Sequence, residues 1–278
     1  MAQRRRLDAE LVRRKLARSR EHAGELVAAG RVEVKGTTAT KAATSVDPAD
    51  AIRVIDDGGT EYASRGGHKL AGALAAFPAI VVEGRRCLDA GASTGGFTDV
   101  LLKAGAASVA AVDVGYGQLV WALQSDERVQ VHDRTNVRTL APGVIGGQAE
   151  LTVADLSFIS LRLVLPALAS CTADGGDLLP MVKPQFEVGK ERVGSGGVVR
   201  DPELRAEAVL DVAAAAWELG LGVAGVARSP LPGPSGNVEF FLWLRRDAPP
   251  ATEALIRSVV VDGLGSATSM TDGMGEAE

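Results

Sequence analysis

Cysteine is nearly absent: Cys87 and Cys171 are the only two in 278 residues. One falls in a stretch that reads as a buried strand and the other ends a helix-like stretch. A disulfide framework is therefore excluded, and free thiols in a reducing, cytoplasmic setting are expected. Histidine is as scarce, with His22, His68 and His132 scattered, and nothing has metal-ligand spacing, so no metal is expected. No apolar run reaches the ~18 residues a membrane helix needs, and the basic start lacks the apolar core of a signal peptide, so stable membrane insertion is not expected. Aromatic residues make up only 4% of the chain, leaving Ala, Val and Leu to build the core. The length suits one large domain plus a small one.

The net charge of −5 would argue weakly against a nucleic-acid partner if it were evenly spread. It is not. Residues 1–20 hold Arg4, Arg5, Arg6, Arg13, Arg14, Lys15, Arg18 and Arg20 against Asp8 and Glu10, giving 8 − 2 = +6. Such a local patch points to a polyanionic partner. Asp8 is placed to cap a helix turning Leu11, Val12 and Leu16 inward. Ser19 is placed to cap a second helix, carrying Ala23, Leu26 and Val27, that Gly30 ends. Residues 31–35 alternate like a strand, Gly36-Thr37-Thr38 turns, and residues 51–55 read as another strand. Two helices and a short sheet bury little alone, so this unit exists to present a surface. From Arg6-Leu7-Asp8 to Gly30-Arg31-Val32-Glu33-Val34-Lys35-Gly36 it resembles the S4 RNA-binding domain. The resemblance implies RNA-backbone contact through Arg4, Arg6, Arg18, Arg20 and Lys41; a solvated basic helix without a partner is the alternative.

The chain is organised around Cys87-Leu88-Asp89-Ala90-Gly91-Ala92-Ser93-Thr94-Gly95-Gly96-Phe97. This reads as a strand, a glycine-rich turn and the opening of a helix with Phe97, Val100, Leu101 and Leu102 on one face. Glycines let a backbone approach a ligand closely, and the N–H groups of a helix start favour carboxylates or phosphates. Asp113 ends the next apolar run, where its carboxylate can accept hydrogen bonds from both hydroxyls of a ribose. A dinucleotide fingerprint would read G-x-G-x-x-G with an acid about 20 positions on. Asp113 suits that pattern, whereas Gly91, Gly95 and Gly96 do not. The Asp-x-Gly-x-x-x-Gly-Gly-Phe spacing instead resembles the first motif of class I methyltransferases, which bind S-adenosylmethionine (SAM). A nicotinamide dinucleotide and a purely structural turn remain the alternatives for the loop alone.

Beyond a polar linker, strand and helix signals alternate, which predicts a parallel, doubly wound sheet with ligands at the carboxyl ends of its strands. Lys69 lies in a helix leading into that sheet. Asp155 and Lys183 end the fourth and fifth strands, and Glu239 begins the last. Taken singly, each reads as an ordinary strand-end charge. Brought to one cleft, two lysines and two acids can tune one another until a neutral amine accepts a proton. Together they resemble the Lys-Asp-Lys-Glu tetrad of ribose 2′-O-methyltransferases. Gly189 to Gly197 reads as a mobile loop over the cleft or a plain exposed connection, and Pro230 to Gly236 as rigid turn material that positions Glu239.

Ser64-Arg-Gly-Gly-His-Lys69-Leu70, the glycine loop, Ala154-Asp155-Leu156-Ser157-Phe158-Ile159-Ser160, Val182-Lys183-Pro184-Gln185-Phe186-Glu187 and Gly233-Pro-Ser-Gly-Asn237-Val-Glu239 occur in that order. The concatenation resembles the TlyA family of bacterial rRNA cytidine-2′-O-methyltransferases, which also carries a haemolysin label. The resemblance implies an α/β class I methyltransferase with a seven-stranded, mostly parallel sheet at residues 64–246, preceded by a small α+β S4 domain at residues 1–59. Residues 60–63 would be the linker, and 247–278 a frayed tail with at most a short helix near residues 253–260. It also implies Lys69, Asp155, Lys183 and Glu239 as catalytic residues, with Lys183 the proton acceptor or oxyanion stabiliser and Asp155 orienting it. SAM would sit against Asp89, Gly91, Ala92, Ser93, Thr94, Gly95, Gly96, Asp113, Asp133 and Asp155. Arg65, Arg134 and Arg138 would join the RNA contacts, with surface solvation the alternative for each. Ribosomal RNA within the ribosomal subunits is the implied partner.

Overall fold

A computed structural model describes residues 4–17, 19–28, 30–55 and 62–269. The chain divides into two compact units, residues 1–61 and 62–278.

In the smaller unit, helices Leu7–Arg13 and Arg20–Ala28 pack together beside an antiparallel sheet ordered Thr37–Thr38, Val32–Val34, Ile52–Val54. Leu7, Leu11, Ala23, Leu26, Val27 and Val32 form its core at the expected helical and strand spacings. Ser19 caps as expected, its Oγ accepting the His22 N–H at 3.1 Å. Asp8 does not cap: the first helix begins at Leu7, two residues earlier than an Asp8 cap would start it, and Arg6 occupies the cap position without a side-chain capping bond. The buried Asp8 carboxylate instead accepts from Arg6, Arg20 and its neighbour Ala9.

The larger unit opens with α1 (Gly66–Ala76). Then come β1 (Arg86–Ala90), α2 (Gly96–Lys103), β2 (Ser108–Val112), α3 (Trp121–Gln124) and β3 (Val129–His132). After a longer connection follow β4 (Ala149–Ala154), α4 (Leu165–Cys171), β5 (Thr172–Val182), α5 (Pro184–Glu187) and α6 (Pro202–Glu218). The end of the unit adds β6 (Gly222–Arg228), β7 (Phe240–Arg245), α7 (Glu253–Val260) and β8 (Ser266–Thr268). The strands form one sheet ordered β8-β6-β7-β5-β4-β1-β2-β3. From β5 through β3 neighbours are parallel, while β7 runs antiparallel between β5 and β6. Chain order reverses between β1 and β4, which opens a crevice at their carboxyl ends.

Alternate side chains feed two cores, one on each face of the sheet. Leu88, Phe240, Leu242 and Leu244 face α4 and α6, whereas Cys87, Phe241 and Trp243 face α1 and α2. Each fully buried Leu or Phe contributes roughly 1.5–3 kcal/mol, so the strands that carry the site sit on rigid packing.

Two expectations about the larger unit are corrected as well. The sheet has eight strands rather than seven, because Ser266–Thr268 pairs antiparallel with Gly222–Arg228. The segment after residue 246 is not a frayed tail through residue 268. Ile256, Val259 and Val260 bury one face of α7, and β8 then closes the sheet edge. Residues 270–278 lie outside the described residues, as do Thr60 and Glu61 of the expected linker.

Candidate active site

The glycine loop joins β1 to α2 at the sheet's crevice. Gly91 has φ +91°, and a Cβ there would come within 2.5 Å of the Asp155 carbonyl oxygen at the end of β4. Gly95 has φ +100° and caps α2 in the left-handed conformation. No other residue tolerates that combination of backbone angle and close approach. Asp113, just past β2, closes the loop from the side: its two oxygens accept N–H bonds from Ser93 at 2.8 Å and Gly115 at 2.7 Å. Asp133, just past β3, accepts from the Gly117 N–H at 2.8 Å. Both carboxylates are only partly buried, so lone pairs remain for a ligand. Gly91, Ala92, Ser93, Thr94, Gly95, Gly96, Asp113 and Asp133 are thereby brought to one edge.

Asp89 lies beneath that loop, fully buried. Its Oδ2 accepts from Thr98 Oγ1 at 2.7 Å, and Oδ1 has no partner among the described residues. Burial pushes its carboxyl up to about 7, helped by the charges of Asp155 and Asp113 and opposed by the Thr98 hydroxyl. A carboxyl raised in the folded state stabilises least once ionised, so stability falls as pH climbs from the ordinary carboxylate range through about 7. Asp89→Asn removes that titration. Its melting temperature relative to the parent should rise between about pH 5 and pH 8 in thermal melts; a pH-independent difference would refute the burial argument.

The four polar residues singled out in the sequence form two lysine–carboxylate pairs. Asp155 Oδ1 meets Lys183 Nζ at 2.5 Å as an ion pair, while the aligned hydrogen bond of that ammonium goes to Ser157 Oγ at 3.0 Å. Lys69, on α1, pairs with Glu239. The register explains how residues far apart in sequence meet. Val182 of β5 lies opposite Phe240 of the antiparallel β7, so one step further Lys183 faces Glu239. Pro180 lies beside Ala154 of β4, which brings Asp155 to the same edge. Asp155 keeps 22% of its side-chain surface exposed, against 1% for Glu239 and 7% for Lys69. One pair therefore opens to solvent and the other is buried. The second Glu239 oxygen, Oε1, is buried without a partner among the described residues.

Further residues hold this arrangement, and of them only Arg65 carries an expectation from the sequence. Glu187, at the end of α5, is buried and accepts from Ser160 Oγ at 2.6 Å and the Leu161 N–H at 2.7 Å. That stitches the loop after Asp155 to the segment after Lys183. Burial raises the Glu187 carboxyl, and those two bonds oppose the rise. Between them Phe158 is held at φ +63° with 91% of its surface exposed, its ring 5.3 Å from that of Phe186. A left-handed, solvent-facing phenylalanine is costly on both counts. Asn237 links the turn before Glu239 to the loop after α5: it accepts from the Val199 N–H at 2.9 Å and donates to Gly197 O at 2.8 Å. Arg65 donates to Pro232 O of the same turn at 3.1 Å.

Comparison with known proteins identifies the family of the chain. A family model described as FtsJ-like methyltransferase matches residues 62–246, and an S4 domain model matches residues 5–52. The chain is 61% identical over 254 residues to the 16S/23S rRNA (cytidine-2′-O)-methyltransferase TlyA of Mycobacterium tuberculosis, covering 91% of this chain and 94% of that one. The chain belongs to the TlyA family. Hemolysin A of Brachyspira hyodysenteriae is 36% identical over 80% of this chain and 92% of its own length. A solved structure of a hemolysin-labelled protein from Streptococcus thermophilus superposes with a TM-score of 0.75 at 39% identity, covering 94% and 96% of the two chains. The family and the fold are those of SAM-dependent methyltransferases. Among the described residues no helix is long and apolar enough to cross a membrane.

The cations expected to meet RNA in this TlyA-family chain fall in both units. Arg4, Arg6, Arg20 and Lys41 are exposed in the smaller one, and Arg18 lies outside the described residues. Arg13 and Arg14 are engaged by the fold: both pair with the buried Glu10, and Arg14 also donates to the Pro48 and Asp50 carbonyls. In the larger unit, the Arg134 guanidinium lies 4.3 Å over the Tyr116 ring, and Arg138 is exposed on the connection after β3. Trp121, at the start of α3, is 79% exposed.

Proposed function

We propose that this chain transfers a methyl group from SAM to the ribose 2′-oxygen of cytidine in ribosomal RNA, acting in the cytoplasm on the small subunit and, as the name of its M. tuberculosis relative suggests, on the large one. The observation that carries this reading is the meeting of two lysine–carboxylate pairs beside a glycine loop at one sheet edge. Residues 1–59 would bind RNA, 60–63 link, and 64–246 catalyse. SAM would be held at the loop, by Gly91 to Gly96 at its methionine end, Asp113 at its ribose and Asp133 at its adenine, with Asp89 supporting the loop from below. Bound there, it supplies a methyl group already activated by a sulfonium charge.

The protein's part is then to place and deprotonate a weak nucleophile. Lys183 would receive the 2′-hydroxyl proton as a neutral amine, or as an ammonium would stabilise the charge developing on that oxygen. Asp155 and Ser157 fix the Lys183 amine, and the Lys69–Glu239 pair holds the ribose from the buried side. A non-catalytic binder has no use for two such pairs. Phe158 offers a ring on which the substrate base stacks. Phe158→Ala should raise KM for the subunit roughly tenfold and leave SAM affinity unchanged, as loss of one base–aromatic stack predicts; an unchanged KM removes Phe158 from the site. Arg4, Arg6, Arg20, Lys41, Arg65, Arg134 and Arg138 contact RNA phosphates.

Incubating purified subunits with methyl-tritiated SAM and the enzyme tests the whole. Label in rRNA supports the reading. SAM binding without transfer to either subunit would favour an assembly factor that retained a methyltransferase fold.

A further inference from the structure

Among its described residues the smaller unit buries three carboxylates: Asp50 pairs with Lys35, whereas Asp8 and Glu10 each gather two arginines. The two clusters differ in what their arginines do next. Arg14 of the Glu10 cluster is half-buried and spends its remaining donors on the Pro48 and Asp50 carbonyls, which locks that cluster into the fold. The Asp8 arginines point outward, with 53% of the Arg6 side chain and 60% of the Arg20 side chain exposed.

The Asp8 geometry is specific. Arg6 donates through Nε to Oδ1 at 3.1 Å and through Nη2 to Oδ2 at 2.7 Å, the fork geometry that guanidinium and carboxylate share. Arg20, from the other helix, donates through Nη2 to the same Oδ2 at 3.1 Å. The Ala9 N–H holds Oδ1 at 2.7 Å, so the carboxylate itself is anchored to the backbone. These bonds engage two of the five N–H donors of Arg6 and one of those of Arg20, leaving the rest for another acceptor. The Arg6 guanidinium also holds the Asp8 carboxyl down to about 2, so the anion persists wherever the protein is folded.

An anion on an RNA-facing surface should weaken phosphate binding by its charge alone. Set against that, two long side chains, one from the cap of the first helix and one from the first residue of the second, lose most of their rotamer freedom before RNA arrives, and preorganisation of this kind lowers the entropic cost of binding. We propose that Asp8 is a positioning residue for RNA: its buried carboxylate holds the Arg6 and Arg20 guanidiniums together as one preformed phosphate-binding pair. This rests on the reading of the smaller unit as an rRNA binder.

The two contributions have opposite signs, which makes the experiment decisive. In the full-length protein, Asp8→Asn keeps the volume and removes the charge. It is expected to raise KM for ribosomal subunits roughly fivefold at constant salt, with kcat and SAM affinity unchanged. It should also shrink the effect of a second change: Arg20→Gln should cost less in the Asp8→Asn background than in the parent. A lower or unchanged KM would overturn the proposal. Should Asp8→Asn unfold the unit, Arg6→Lys serves instead, since it keeps the charge and leaves Asp8 paired with Arg20 but loses the fork. Its KM should rise, and an unchanged value overturns the proposal equally. The double variant Arg6→Glu with Arg20→Glu separates the two levels. If it leaves KM unchanged, the rRNA-binding reading of this unit fails. If it raises KM while Asp8→Asn does not, only the positioning role of Asp8 fails.

Discussion

Replacing Lys183 with alanine is expected to slow methyl transfer by about a thousandfold or more, the range in which a positioned proton acceptor or charge stabiliser acts. SAM and subunit affinity should stay within about twofold of the parent, because neither the glycine loop nor the exposed cations involve this side chain. The geometry makes the loss clean. Lys183 sits at the end of β5, braced by Asp155 and Ser157, and its removal leaves Asp155, which is already partly exposed, to be solvated. Single-turnover rates at saturating subunit are the measurement. Lys183→Arg adds a distinction: arginine keeps the positive charge and cannot give up its proton near neutral pH. An inactive Lys183→Arg identifies proton acceptance as the role, whereas a largely active one identifies charge stabilisation. A fully active Lys183→Ala would remove the tetrad from the mechanism.

The second large effect is expected at Gly91. A Cβ there meets the Asp155 carbonyl oxygen at 2.5 Å and Leu156 Cδ2 at 3.0 Å, on a backbone with φ +91°. The carbonyl belongs to the end of a buried strand and cannot swing aside as a side-chain tip could. Gly91→Ala therefore has to push the loop off β4 or displace Asp155, and either movement damages the proposed SAM cradle and the proposed catalytic edge together. SAM affinity should fall by about a hundredfold, consistent with the sensitivity of positioned sites to ångström-scale shifts, and turnover should fall with it. Gly143→Ala, where nothing lies within 4 Å of the added atom, should be close to neutral in the same calorimetric titration. Equal behaviour of the two variants would mean that the contact between the Gly91 turn and β4 is not what shapes the site.

The parts of this structure legible in the sequence were those written in local pattern. Cys87-Leu-Asp89 and Val109 to Val112 are apolar runs ended by an acid or a glycine, and they became the strands that frame the crevice. Lys69, Asp155, Lys183 and Glu239 could be assigned to strand ends and a lead-in helix; the sheet order put Asp155, Lys183 and Glu239 at one edge, and α1 brings Lys69 to Glu239. What stayed illegible was set by partners distant in the chain. The pairing of Lys69 with Glu239 spans 170 positions, and it depends on β7 running antiparallel. Glu187 carries no signal of its own until Ser160 and Leu161, 27 and 26 residues earlier, are folded against it. Asp8 read as a helix cap because acids commonly sit there; the pull of Arg6 and Arg20 outweighed that preference. Phe158 carries no local signal of its exposure: Leu156 and Ile159 beside it pack against the core, while the bracing of its loop turns it out to solvent. Ser266-Ala-Thr268 has the composition of a linker and becomes a strand only because the edge of β6 offers unpaired hydrogen-bonding groups.

The most direct test of ribose chemistry at this site is to identify the methylated atom. Ribosomal RNA from subunits treated with the enzyme and SAM would be digested to nucleosides and resolved by mass spectrometry, with Lys183→Ala as the control. A 2′-O-methylcytidine formed by the parent and absent with the variant is the result required if the two lysine–carboxylate pairs act on a ribose hydroxyl. A methyl group on the cytosine base, or the same 2′-O-methylcytidine formed without Lys183, would contradict it.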